Sequence, residues 1–264
     1  MPKLLVKPKT GDGRVIHVTP KSAGWTYVGF DLWKLMPGAI AVGNDIRRET
    51  CLVFVSGQGQ THAGTTGYGV IGERMSPFDG APWSVYVPAG MTWSVKASTE
   101  MTLAVCTAPG SGKLPARVIP PIGLATETRG KGNNVRHVTN ILPEGDEADS
   151  LLVVEVITPA GNTSSYPPHK HDEDNLPNES LLEETYYHRL NPAQGFAFQR
   201  VYTDDRSLDE AMAVEDGDVT LVPKGYHPCA TVHGYDLYYL NVMAGPKRTW
   251  KFHNAKEHAW LLKA

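Results

Sequence analysis

Val219-Thr220-Leu221-Val222-Pro223-Lys224-Gly225-Tyr226-His227 reads as a short β-branched strand, a Pro-x-Gly turn and a histidine at the turn's exit. The same strand-and-turn signature occurs upstream as Ser84-Val85-Tyr86-Val87-Pro88-Ala89-Gly90, at an offset of 135 residues. That offset also carries Leu103–Gly110 onto Tyr238–Gly245 and Glu49-Thr50 onto Glu184-Thr185. Three landmarks in one register imply a duplicated β unit.

The rest of the chain has the texture of an all-β protein. Its 26 glycines and 20 prolines punctuate short runs rich in Val, Tyr, Thr and Leu. Strands are expected at 52–55, 84–87, 102–106, 151–157, 185–190, 197–202, 219–222 and 237–242, with a short terminal helix over 254–262. Pro120-Pro121, followed by the polar run from Thr126 to Asn134, marks a junction. Two units are therefore expected, 1–120 and 121–264.

Composition narrows the function. A net charge of −3 leaves no polycationic footprint for nucleic acid. No apolar run reaches the roughly 18–20 residues of a membrane span, and the start lacks the apolar stretch of a secretory signal. Three cysteines, Cys51, Cys106 and Cys229, form no Cys-x-x-Cys unit and fit a reducing cytoplasm. The glycine-rich runs at 57–59 and 64–69 lack a Walker lysine and read as hairpins.

Three imidazoles and a carboxylate carry the chemistry. His169 and His171 lie two apart, so in an extended strand both point to one face while Lys170 points away. With Glu184 and His227 they form a donor set suited to one divalent ion of the Zn, Mn or Fe type. Subtracting 135 places Lys34, Met36, Glu49 and Thr92 opposite His169, His171, Glu184 and His227. The N-terminal copy thus lacks all three histidines, and one metal site is expected, in the C-terminal half. Glu183 competes with Glu184, and the repeat register favours Glu184. Arg136-His137 and His62 have no spaced partners and read as ordinary surface or core groups.

Gly161, His169, His171, Glu184 and Gly195 resemble a first cupin motif, and Gly217, Pro223, Gly225 and His227 a second. The 12 residues between His171 and Glu184 exceed the usual three or four. His227 follows Gly225 by two positions instead of three, and Thr231 stands where the motif has Asn. A longer loop costs slowly growing closure entropy, so ligation survives the insert. Within the cupins, the run Tyr166–Asp172, then Asn175-Leu176-Pro177 and Leu182–Arg189, resembles the 5-deoxy-glucuronate isomerase family of myo-inositol catabolism. Gln199–Asp204, Val222–Pro228 and Tyr238–Gly245 extend the likeness over nearly the whole chain.

The resemblance implies a bicupin of two jelly-roll barrels with few short helices. It implies metal ligation by His169, His171, Glu184 and His227, and an aldose–ketose isomerisation of 5-deoxy-D-glucuronate to 5-dehydro-2-deoxy-D-gluconate. A divalent ion serves such a step as a Lewis acid. The proton-transfer candidates are Glu183, Asp172, His188, Lys170 and a metal-bound hydroxide. The uronate carboxylate calls for a guanidinium, with Arg200 first and Arg189 and Arg248 in reserve. Tyr186, Tyr226, Tyr238 and Asn241 are candidates for the substrate's hydroxyls. A cupin dioxygenase using Fe or Cu and a non-enzymatic sugar-binding bicupin are the rival functions, because one fold and ligand set serve many chemistries. Cupins often dimerise, so a homodimer is the assembly expected from the fold class.

Overall fold

The computed structural model describes residues 3–263. The N-terminal half builds a six-stranded antiparallel sheet from β2 (Gly13–Val18), β3 (Gly29–Leu35), β5 (Arg48–Ser56), β8 (Ser84–Val87), β10 (Met101–Pro109) and β11 (Arg117–Ile119). Its second sheet has β4 (Ile40–Gly43), β6 (Gly59–Ala63), β7 (Thr66–Ile71) and β9 (Trp93–Ala97). In the C-terminal half the large sheet contains β12 (Ala125–Arg129), β13 (Arg136–Leu142), β14 (Leu152–Thr158), β19 (Glu183–Asn191), β22 (Val219–Val222) and β24 (Asp236–Ala244). The smaller one has β15 (Thr163–Ser164), β20 (Phe196–Tyr202), β21 (Asp209–Glu215) and β23 (Cys229–Thr231). Two ribbons complete the half, β16 (His169–Lys170) with β25 (His253–Asn254), and β17 (Asp172–Asn175) with β18 (Glu179–Leu181). This is the all-β bicupin expected from the sequence. Strand β1 (Leu5–Val6), inside the span expected for the N-terminal barrel, crosses over and pairs with β22. The expected terminal helix is a 3-10 helix over Lys256–Lys263. No helix among the described residues is long and apolar enough to cross a membrane.

The central strands are buried on both faces, and the arrangement of the two large sheets explains why. Cys51, Val53 and Val55 of β5 meet Tyr238, Leu240 and Val242 of β24 in one core shared between the halves. Leu52 and Phe54 point the other way, into the N-terminal barrel, as Tyr186 and Tyr239 point into the C-terminal barrel. A strand sandwiched in this way reads as a continuous apolar run, whereas β20, solvated on one face, alternates.

Strand bounds in β5, β8 and β10 recur 135 residues later in β19, β22 and β24. The ladders show that equivalent positions do not all share that offset. Thr50 pairs with Val87 as Glu184 pairs with Val222, offsets of 134 and 135. Val105 pairs with Leu52 and Asp31 as Asn241 pairs with Tyr186 and Val154, offsets of 136, 134 and 123. Eleven extra residues between β14 and β19, the β17–β18 ribbon region, account for the jump from 123 to 134. The counterpart of Glu184 is therefore Thr50, and that of Glu49 is Glu183. Lys34 and Met36 are not opposite the histidines either; an offset of 123 carries His169 and His171 to Ile46 and Arg48. A one-residue phase error swaps the two faces of a strand, which is why matching bounds misled.

Burial of Glu49 and Glu183 follows the same symmetry. Glu183 accepts backbone N–H groups of Thr26, Tyr27 and Val28 at 2.6, 2.6 and 3.0 Å. Glu49 accepts those of Asp149, Ser150 and Leu151 at 2.7, 2.6 and 2.6 Å. Each half thus holds a loop of the other through a carboxylate with its lone pairs satisfied. Between them lies a buried ion pair, Arg74 to Glu155, to which Tyr238 also donates at 3.0 Å.

Candidate metal centre and its cavity

His169 sits on β16, His171 follows that strand, Glu184 is the second residue of β19, and His227 leaves the turn after β22. The turn needs Gly225: its φ is +98°, and a Cβ there would lie 2.5 Å from the Tyr202 carbonyl oxygen. Asp172 braces the same turn, its Oδ1 accepting the Gly225 N–H at 2.7 Å.

One potential ligand nitrogen from each of the three imidazoles lies within 4.8 Å of the others. Glu184 Oε2 is 3.0 Å from His171 Nε2 and 3.2 Å from His227 Nε2. Backbone carbonyls set the tautomers. His171 Nδ1–H donates to Leu182 O at 2.8 Å, and His227 Nδ1–H to Gly225 O at 2.7 Å, so both Nε2 atoms face inward. Asn241 Nδ2 donates to Glu184 Oε1 and holds the carboxylate's other oxygen. His227 Nε2 is fully buried and has no hydrogen-bond partner among the described residues.

Electrostatics agree with a cation site. Burial pushes His169 and His227 down to about 3, leaving both neutral and able to ligate. Burial also opposes charge on His171, but the hydrogen bond and charge of Glu184 outweigh it and raise its pKa. A metal ion bound here would compete with a proton for His171 Nε2, the atom 3.0 Å from Glu184 Oε2. Inward-facing neutral imidazoles, a buried carboxylate and one orphaned nitrogen fit a divalent ion with N and O preference.

Beside these groups lies a cavity of about 230 Å³, with His169 and Glu184 in its wall. Tyr186, Asn241, Ser165, Trp250 and Phe252 also line it. Tyr186 Oη and Ser165 Oγ are 2.9 Å apart, and Ser165 has a φ of +50°, a strained placement for a serine. Two arginines, Arg129 and Arg136, complete the wall. They are direct cross-strand partners on β12 and β13.

Several expected site residues are elsewhere. Glu183 faces the other half, as described above, and not the cavity. Tyr238 points into the core between the halves. Arg200 points to solvent with Phe196 and Phe198 and is paired to Asp209 by two 2.7 Å bonds. Arg189 pairs with Asp216 at 2.7 Å, and Arg248 donates to backbone carbonyls, including that of Leu151. Lys170 faces away from the histidines, 2.9 Å from Asp204, and Tyr226 donates to the same Asp204 carboxylate. His188 shares the inner face with Glu184 and Tyr186 but lies deeper, its Nε2 3.0 Å from Gln199 Oε1 and 3.2 Å from Thr220 Oγ1. Burial pushes it down to about 4. Cys229 is buried, and burial raises its thiol to about 12, which makes it a packing residue.

Arg129, Ser165, Trp250 and Phe252 are cavity residues that sequence reasoning passed over, and Arg136, read there as an ordinary surface or core group, lies in the cavity wall instead. Strand alternation offered one signal, since Arg136 and Val138 share a face of β13 and Val138 also lines the cavity.

A 5-deoxy-glucuronate isomerase of Geobacillus kaustophilus is 56% identical over 254 residues, 96% of this chain and 92% of the relative. One of Listeria monocytogenes serotype 4b is 50% identical, spanning 99% of both chains. The crystal structure of an IolB-like protein from Salmonella typhimurium superposes with a TM-score of 0.97 at 54% identity, covering 98% of this chain and 99% of that one. Bacillus subtilis oxalate decarboxylase shares the fold alone, with a TM-score of 0.63 at 12% identity over 96% of this chain and 80% of its own. The family model described as KduI/IolB family matches residues 4–261, and the chain belongs to that family.

Proposed function

We propose that this protein isomerises 5-deoxy-D-glucuronate to 5-dehydro-2-deoxy-D-gluconate in the cavity of its C-terminal unit, residues 121–264. The convergence of His169, His171, Glu184 and His227 beside a cavity that His169 and Glu184 line, together with Arg129 and Arg136, carries this reading. The N-terminal unit, 1–120, serves as scaffold and anchors the strand that bears Glu184.

His169, His171, Glu184 and His227 hold one divalent ion, Zn or Mn by the chemistry of the donors. When bound, it supplies Lewis acidity toward the substrate carbonyl and its enediolate, with no redox change. The chain's own residues do the remainder. Arg129 and Arg136 face each other directly across a strand pair, and Arg129 is ion-paired with Glu127, which leaves Arg136 as the guanidinium without a carboxylate partner among the described residues. Burial, together with the nearby Arg129 charge, lowers the Arg136 pKa. These two arginines receive the substrate carboxylate, in the role first expected of Arg200. Asn241 orients Glu184. Tyr186 stays protonated, because burial and the Glu184 charge push its pKa far up. Its hydroxyl, 2.9 Å from Ser165 Oγ, is placed to donate a hydrogen bond to substrate oxygen while keeping its proton. Trp250 and Phe252 form an apolar wall that keeps bulk water from the enediol.

Following 5-deoxy-D-glucuronate by NMR in heavy water tests the reaction. Appearance of the ketose with solvent deuterium at its new CH2OH carbon supports the reading, and an unchanged substrate spectrum refutes it.

A further inference from the structure

The N-terminal barrel keeps a cavity where its twin has the metal centre, and the cavity is the larger one, about 380 Å³. Thr50 and Val105 in its wall hold the ladder positions that Glu184 and Asn241 hold in the C-terminal barrel. Trp33 holds the position of Val156, since it pairs with Leu103 as Val156 pairs with Tyr239. We propose that this cavity is a second binding site, free of metal, for a neutral polyol of monosaccharide size.

Metal ligation is excluded by the wall itself. Its one histidine, His17, is committed through Nδ1 to Asp31 at 2.6 Å, and Thr50 replaces the ligating carboxylate. The wall also holds two indoles, Trp33 with the Arg14 guanidinium 5.7 Å from its ring centroid and Trp93 almost wholly buried. Aromatic walls with a few placed polar groups are the usual make-up of a small-molecule site. Trp33 Nε1 is buried and has no hydrogen-bond partner among the described residues. The Asn44 amide and Thr50 hydroxyl stand on the same wall to receive ligand hydroxyls.

Charge selects a neutral ligand. Arg14 and Arg48 are balanced by Asp31 and Asp45 in the same wall. Arg14 donates to Asp31 at 3.2 Å. Arg48 spends Nε and Nη2 on Thr107 and on the Tyr27 carbonyl. The catalytic cavity, by contrast, presents two facing arginines and suits an acid. The two barrels therefore divide a family of polyhydroxylated ligands by charge.

Titrating the metal-loaded protein with D-glucose and with D-glucuronate, followed by tryptophan fluorescence and saturation-transfer NMR, tests the proposal. Saturable D-glucose binding is expected, weakened tenfold or more in Trp33→Phe and in Asn44→Leu. It should be unchanged in Glu184→Gln, and isomerase turnover should be unchanged in Trp33→Phe and Asn44→Leu. Absence of saturation, indifference to both cavity variants, loss in Glu184→Gln, or tighter binding of D-glucuronate would each overturn it.

Discussion

Glu49 and Glu183 are pseudo-symmetric counterparts, each accepting three consecutive backbone N–H groups from the opposite half of the molecule. Glu183 is the first residue of β19 and Glu184 the second, so the clamp that joins the halves also anchors the strand end that carries the metal-site carboxylate. Replacing either clamp residue by Gln should destabilise the protein by about 2 kcal/mol, read from the midpoint of urea unfolding. Only Glu183→Gln should also weaken metal affinity, measured by chelator competition. Equal metal affinity in the two variants would separate the clamp from the site.

Asn241 holds the Glu184 oxygen that faces away from the histidines. Groups of this kind orient ligands without touching the metal, and their loss typically costs about 10–100-fold in affinity or activity. Asn241→Ala should fall in that range by metal competition while keeping the thermal midpoint within a few degrees. Unaltered affinity would show that Glu184 needs no support.

Arg136→Gln should raise KM for the uronate about 10–100-fold with a smaller change in kcat, as expected for a lost charge-assisted hydrogen bond. Arg200→Gln should leave both constants where they are, because that side chain is engaged with Asp209 in solvent. Steady-state kinetics on the two variants decide between the arginines, and the opposite pattern would restore Arg200 to the site.

Tyr186→Phe removes the hydroxyl and keeps the ring that packs against Tyr239 and His188. The variant should fold, bind metal as the parent does, and lose about 10²–10³ in kcat, the usual worth of a hydrogen-bond donor aimed at a developing oxyanion. A kcat near that of the parent would place that hydrogen bond elsewhere in the cavity.

The C-terminal chemistry was legible because His-x-His, a strand Glu and a turn His are local patterns whose facing follows from strand alternation. Most of the eight anticipated strands, such as β5, β8, β14 and β22, are continuous apolar or β-branched runs buried on both faces, whereas strands that carry polar residues, such as β6, β13, β17 and β21, gave too little signal. The repeat was readable but its phase was not. Identical bounds at β5 and β19 concealed a one-residue shift, so Glu49 was set opposite Glu184 when its true counterpart is Glu183. Arg200 misled because Phe196 and Phe198, its neighbours on one face of β20, are exposed, at 42% and 51%. Glu183 receives its meaning from backbone N–H groups of a distant loop, which no pattern of side chains announces. Arg136 was misread for a similar reason: its partner Arg129 arrives through the pairing of β12 with β13.

The most direct test of the central claim is anaerobic turnover of 5-deoxy-D-glucuronate by metal-stripped protein, before and after reloading with Zn or Mn, alongside folded His227→Ala. Isomerisation should vanish on stripping, return with either ion without oxygen, and be absent in His227→Ala. A strict requirement for oxygen, or an undiminished rate in His227→Ala, would contradict it.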